Sequence, residues 1–208
     1  MDLFETERIG DCMNISKFTQ KSVEILNNLE KIAYDFGAQE IAQEHLLYGM
    51  LTVEDSLIKK LIEKMEIDSD VFLAQVEGAV RKRPQVQGGQ VYIGQDLNKV
   101  LVYAENEAKA LGDEYVSVEH LFLSLLRKPS KEIKQLFHDF QIDRERFLQA
   151  LSKVRGNQKV TTDNPEAVYD SLNKYGYDLV ERAREKKLDP VIGRDSEIRN
   201  CLLYTSDA

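Results

Sequence analysis

The stretch Gly37-Ala38-Gln39-Glu40-Ile41-Ala42-Gln43-Glu44-His45-Leu46 returns 75 residues later as Gly112-Asp113-Glu114-Tyr115-Val116-Ser117-Val118-Glu119-His120-Leu121. The glycines and the Glu-His-Leu triplets are in register, and working outward needs no gap. Leu51 meets Leu126, Ile58 meets Ile133, Lys59 meets Lys134 and Leu61 meets Leu136. Ile67-Asp68 meets Ile142-Asp143, and Phe72-Leu73 meets Phe147-Leu148. Residues 18–80 and 93–155 are therefore two copies of one unit, and a duplication of this kind governs how every other motif is read.

Each copy reads as four helices. Phe18, Val23, Leu26, Leu29, Ile32, Ala33 and Phe36 recur at three- and four-residue spacing and mark one buried face. Gly37 then stands where a left-handed C-cap stops a helix. Further helices are expected over 43–52, 55–65 and 69–82, and in the second copy over 95–111, 118–127, 131–140 and 144–155. Ser117 is a plausible N-cap for the helix bearing Glu119 and His120. Pro129-Ser130 and Asp143 begin the two helices that follow. The fold class is all-α: two pseudo-symmetric four-helix units, then a linker and a short helical tail. Pro84 to Gly94 reads as a flexible connector because of its glycine pair and missing helical period. Residues 157–164 are a second, polar linker with almost no apolar residue, as expected for a mobile tethered domain.

Composition narrows the function. Apolar content of 42% and charged content of 31% are those of a soluble globular chain. No apolar run approaches the roughly 18–20 residues that span a bilayer, and the start lacks a signal-peptide pattern, so a cytoplasmic location is expected without membrane contact. Net charge of −8 argues against nucleic acid as a partner. The run Arg81-Lys82-Arg83 reads as the cationic end of a helix. Cys12 and Cys201 lie outside both copies, and His45, His120 and His138 are not in metal-ligand spacing, so no metal site is expected.

The double repeat with Glu-His-Leu in both copies resembles the N-terminal Clp repeat domain of the Clp ATPase chaperones. Past the linker the likeness sharpens. Lys174-Tyr175-Gly176-Tyr177-Asp178-Leu179, Ala183-Arg184, Lys187-Leu188-Asp189-Pro190-Val191-Ile192-Gly193-Arg194-Asp195 and Glu197-Ile198-Arg199 resemble the start of the first AAA+ module of the ClpB disaggregase family. The likeness runs from Met13 to Asn200. It implies a Clp repeat domain over 13–156, a linker over 157–164 and an incomplete ATPase module over 165–200. Residues 1–12 read as a non-native or disordered extension. Residues 201–208, Cys201-Leu202-Leu203-Tyr204-Thr205-Ser206-Asp207-Ala208, match nothing the family carries there, as a truncated reading frame would explain.

In the full-length family, ATP and Mg drive a homo-hexameric ring that works with a DnaK-type chaperone system. This chain contains no Gly-x-x-x-x-Gly-Lys-[Ser/Thr], so no ATPase activity and no cofactor are expected of it. By resemblance Val191 and Ile192 take the adenine-contacting position, though two apolar side chains without a phosphate cradle read better as an ordinary buried turn. What remains is recognition of unfolded or aggregated polypeptide. The resemblance places it at Thr19, Asp113 and Glu119, with Leu101 and Tyr103 adding apolar surface to a groove rimmed by carboxylates.

Each residue also has a plainer reading. Glu119 and Glu44 sit in the first turn of a helix, where the dipole stabilises a carboxylate. Thr19 reads equally as an N-cap, and Asp113 as a solvated turn residue. His45 and His120 read as packed or hydrogen-bonded helix-start residues, and no nucleophile, base and orienting acid can be assembled around them. The alternative function is a ClpC-type adaptor-docking or phosphoarginine-degron module, with a Glu in each copy for a guanidinium group. The copies differ at Thr19/Gly94, Ala38/Asp113 and Asn28/Tyr103, which leaves one candidate groove rather than two equal ones.

Overall fold

The computed structural model describes residues 15–85, 91–155 and 159–165. A single 3-10 turn, Ile15–Lys17, leads into the first copy: α1 Gln20–Asp35, α2 Gln43–Thr52, α3 Leu57–Lys64 and α4 Ser69–Arg81. The second copy holds α5 Gln95–Leu111, α6 Val118–Arg127, α7 Lys131–Asp139 and α8 Arg144–Arg155. All eight helices read in the two copies are present, with bounds within about two residues of those expected, as helix ends permit, while the expected helical tail and ATPase-module start lie outside the described residues.

Local chemistry sets the bounds. The Thr19 hydroxyl accepts the Ser22 N–H at 3.3 Å, and the Ser56 and Ser130 hydroxyls accept from Lys59 and Ile133. Asp68 accepts from the N–H groups of Asp70 and Val71, and its counterpart Asp143 from that of Arg146. Both first helices end alike. Gly37 and Gly112 adopt φ of 68° and 73°, and the next N–H reaches back five residues, Ala38 to Ala33 and Asp113 to Ala108. Gly37→Ala is expected to lower stability by about 1–2 kcal/mol, because a Cβ strains the left-handed region. Urea unfolding checks this, and an unchanged midpoint would contradict it.

The two copies share one core. Helices α2 and α6 are buried around nearly their whole circumference, from Gln43 to Leu51 and from Val118 to Leu125, with Tyr48 half-buried. Helix α3 packs on α6 and α8, α4 on α7, and α2 on α5, α6 and α7. Phe122 stacks on Phe147 at 4.5 Å, and Phe72 of the first copy meets Phe140 of the second edge-on at 5.0 Å. The copies also exchange backbone. Strand β1, Glu40–Ile41, pairs in parallel with β2, Tyr92–Ile93, and Phe18 forms the matching parallel bridge to Val116. By the repeat offset Ile93 corresponds to Phe18 and Ile41 to Val116, so each copy lays the residue before its first helix on the other's loop. The end of the connector expected to be flexible is thus held: Gln85 bridges Ala38, and Tyr92–Ile93 forms the β pair.

Candidate functional site

The site grows from the turn after α5. Gly112 turns the chain so that the side chain of Asp113 points inward, where it is 8% exposed. Four residues on, Ser117 caps α6, and His120 occupies the third position of that helix. The Ser117 N–H donates to His120 Nδ1 at 2.9 Å, so the imidazole does the work that Glu or Gln does in a capping box. With Nδ1 accepting, the ring proton sits on Nε2, which donates to Asp113 Oδ2 at 2.9 Å. The first copy repeats half of this. The Ala42 N–H donates to His45 Nδ1 at 3.0 Å, but Ala38 stands where Asp113 would, and His45 Nε2 is buried without a hydrogen-bond partner.

Asp113 is the hub. Its Oδ1 accepts from the Arg155 guanidinium and from the Val160 N–H, the latter at 2.9 Å. Burial by itself would push the carboxyl up, but the bonds from His120, Arg155 and Val160 outweigh it and hold Asp113 well below the usual carboxylate range. Residues 159–163 lie against this hub. Val160 is fully buried, its carbonyl accepts the Glu114 N–H at 3.0 Å, and the Asp163 carbonyl accepts the Gln20 N–H at the start of α1 at 2.7 Å. Asp163 Oδ2 also accepts from Gln20 Nε2 at 2.9 Å.

The two repeat glutamates have opposite fates. Glu44 Oε2 accepts two bonds from Arg83, at 3.0 and 2.8 Å, and Oε1 accepts the Ser130 hydroxyl at 2.6 Å. It ties the copies together, and Arg83, read in sequence as a helix-end cation, is its partner. Glu119 is equally buried, yet neither oxygen has a hydrogen bond, and its ion pair with Arg155 is 3.6 Å long. A buried carboxylate in that condition has unused acceptor capacity. The paired guanidinium sites of the ClpC-type alternative therefore meet an obstacle at Glu44, whose oxygens already hold Arg83 and Ser130.

Thr19, Asp113 and Glu119 converge as expected. Thr19 donates its N–H to Val116 on the loop that joins Asp113 to Glu119. The expected carboxylate rim, however, is an interior. Thr19 and Glu119 are fully buried, and Asp113 is no solvated turn, because Arg155 and residues 159–163 cover them. Leu101 is buried in the core, and half-buried Tyr103 lies under the Arg127 guanidinium at 5.0 Å. Val191 and Ile192 lie outside the described residues. Sequence reasoning missed Arg155, Val160 and Gln20. The Ala38/Asp113 difference was the available signal, since a carboxylate gained at one copy's turn calls for a cation.

Among known proteins, the Clp repeat (R) N-terminal domain family matches residues 17–140. The chain belongs to that family. It is 45% identical over 200 residues to the chaperone protein ClpB of Nitratidesulfovibrio vulgaris, covering 93% of this chain and 23% of that protein. It is 41% identical over 199 residues to ClpB of Bacillus cereus, at the same two coverages. The chain thus spans under a quarter of the length of these curated relatives. The Hsp104 N-terminal domain of Candida albicans has the same fold, with TM-score 0.63 and 20% identity over 71% of this chain and 97% of that one. A Clp repeat domain is what the resemblance implied, and no described helix is long and apolar enough to cross a membrane.

Within this Clp repeat domain, Ser117 Oγ, His120 and Asp113 lie in hydrogen-bond line, Oγ being 2.9 Å from Nδ1. They do not make a hydrolytic triad. All three are buried, the Ser117 N–H occupies the Nδ1 lone pair, and Asp113 is committed to Arg155 and Val160. Burial lowers the pKa of His45. The unfolded chain therefore binds this proton more readily, and stability falls as pH drops through about 6.5. His45→Gln, which keeps an acceptor for Ala42, should flatten the decline between about pH 7.5 and 5.5. Thermal melts across that range test it; identical slopes would refute the assignment.

Proposed function

We propose that this chain is the polypeptide-binding part of a ClpB-type chaperone, and that it takes extended segments of unfolded protein at the junction of α1, the 113–119 turn and α6. The observation that carries this reading is Glu119: fully buried, without a hydrogen bond, beside backbone that pairs with an extended segment. Carboxylates offer cationic clients a partner, and backbone pairing is tolerant of sequence, which suits a module that meets many unfolded chains. The same fold occurs in the solved complex of a ClpV N-domain with a VipB peptide, at TM-score 0.56.

For the full-length protein we infer ATP- and Mg-dependent disaggregation by a homo-hexamer working with a DnaK-type system, as the resemblance to the ClpB family implies; the relatives' names say that they are chaperone proteins. Titration calorimetry with α-casein tests the binding step. Weak saturable binding is expected, and Glu119→Gln should reduce it several-fold by removing the charge that draws cationic side chains. No heat of binding from a chain shown to be folded, or equal affinity for parent and variant, would count against this assignment.

A further inference from the structure

Residues 159–163 occupy the junction where the client is placed. Val160 is 0% exposed, its N–H is held by Asp113, and its carbonyl pairs with Glu114. Glu114 and Val116 belong to the loop whose other partners are Lys17 and Thr19, since Val116 N–H donates to the Lys17 carbonyl and accepts through its own carbonyl from Thr19. Val160 thus attaches to this loop by one backbone bond from Glu114 and one bond to the Asp113 carboxylate, contacts that an extended peptide could also make. Asp163 then closes on the N-terminus of α1, where its carbonyl accepts the Gln20 N–H and its carboxylate accepts the Gln20 side-chain amide.

The repeat offset gives an internal control. Gln85 is the first copy's counterpart of Val160. It too lies across the turn, bridged to Ala38, but its side chain is exposed. The first copy carries no carboxylate at the turn, and its glutamate is fully engaged by Arg83 and Ser130. Among the described residues, only the second copy combines a pocket that buries an aliphatic side chain with a carboxylate that fixes the occupant's backbone and another that lacks a hydrogen bond.

We propose that Lys159–Asp163 is a built-in occupant of the groove, a strap that a client must displace. The inference rests on the polypeptide-binding reading above and extends it to specificity. A segment that replaces the strap has an aliphatic residue at the Val160 position and an acidic residue three positions later, as in Val160-Thr161-Thr162-Asp163. One apolar anchor and a few backbone bonds make the strap a weak competitor, so it raises the threshold for binding without closing the site.

The test uses the whole chain with Val160→Ser, and Asp163→Ala as a second variant, helix content being verified by circular dichroism. Two probes are titrated: α-casein, and a synthetic peptide of residues 158–164. Loss of the buried valine should tighten casein binding about tenfold, and Asp163→Ala should do so by less. The peptide should bind V160S in trans and shift the Glu114 amide resonance, while leaving the parent unmoved. Equal casein affinity for parent and both variants, or failure of the peptide to bind V160S, overturns the strap. Peptide binding with no casein binding to any form upholds the strap and removes the polypeptide-binding reading instead.

Discussion

Replacing Arg155 with Met is expected to cost about 3–5 kcal/mol of stability, the range for removing one partner of a buried ion pair. Arg155 is the cation that Asp113 and Glu119 share, and its side chain is only 7% exposed. Without it Asp113 keeps the bonds from His120 and Val160, but Glu119 keeps no ion pair with Arg155 and has no hydrogen bond to replace it. Two buried carboxylates would then be left without the cation they share. Arg155→Met combined with Glu119→Gln should recover part of the loss, since one of the two stranded charges is gone. Urea titrations of the parent, both single variants and the double variant make the comparison. An Arg155→Met variant within about 1 kcal/mol of the parent would show that the guanidinium is not what compensates these carboxylates.

Phe122→Ala should cost a similar amount, about 3–5 kcal/mol, as large-to-small changes at fully buried aromatic positions do. Phe122 is 0% exposed on α6, stacked on Phe147 and tilted against Phe137 at 5.5 Å. Its helix packs on α2 and α3 of the first copy as well as on its own neighbours. The variant is therefore expected to weaken both copies together in one cooperative transition. Hydrogen exchange distinguishes the cases. Amides of α1 and α2 should lose protection in parallel with those of α6 and α8, whereas protection retained in the first copy would mean that the repeats fold independently.

Much of this protein was legible in its residues. The Gly37/Gly112 and Glu-His-Leu pairs located both copies, and the spacing of apolar positions set all eight described helices close to their observed bounds. Helix periodicity and capping act over a few residues, so they survive in a linear reading. The three polar positions assigned by resemblance, Thr19, Asp113 and Glu119, do come together. Leu101 and Tyr103 point to the limit of that approach: nothing in their spacing told a core leucine from a groove leucine, or foretold the guanidinium over Tyr103.

By itself, then, the sequence determined the duplication, the helices, the family and the side of the pseudo-symmetric pair on which the unusual chemistry falls. The tertiary structure alone decided that the groove's carboxylates are interior groups, that Glu44 is hydrogen-bonded while Glu119 is not, and that a segment read as polar linker covers Asp113. The reason is physical. Whether a carboxylate is a solvated rim or a buried hub depends on cations and donors brought from far along the chain, as Arg155 and Val160 are brought to Asp113. Local pattern holds no record of those encounters.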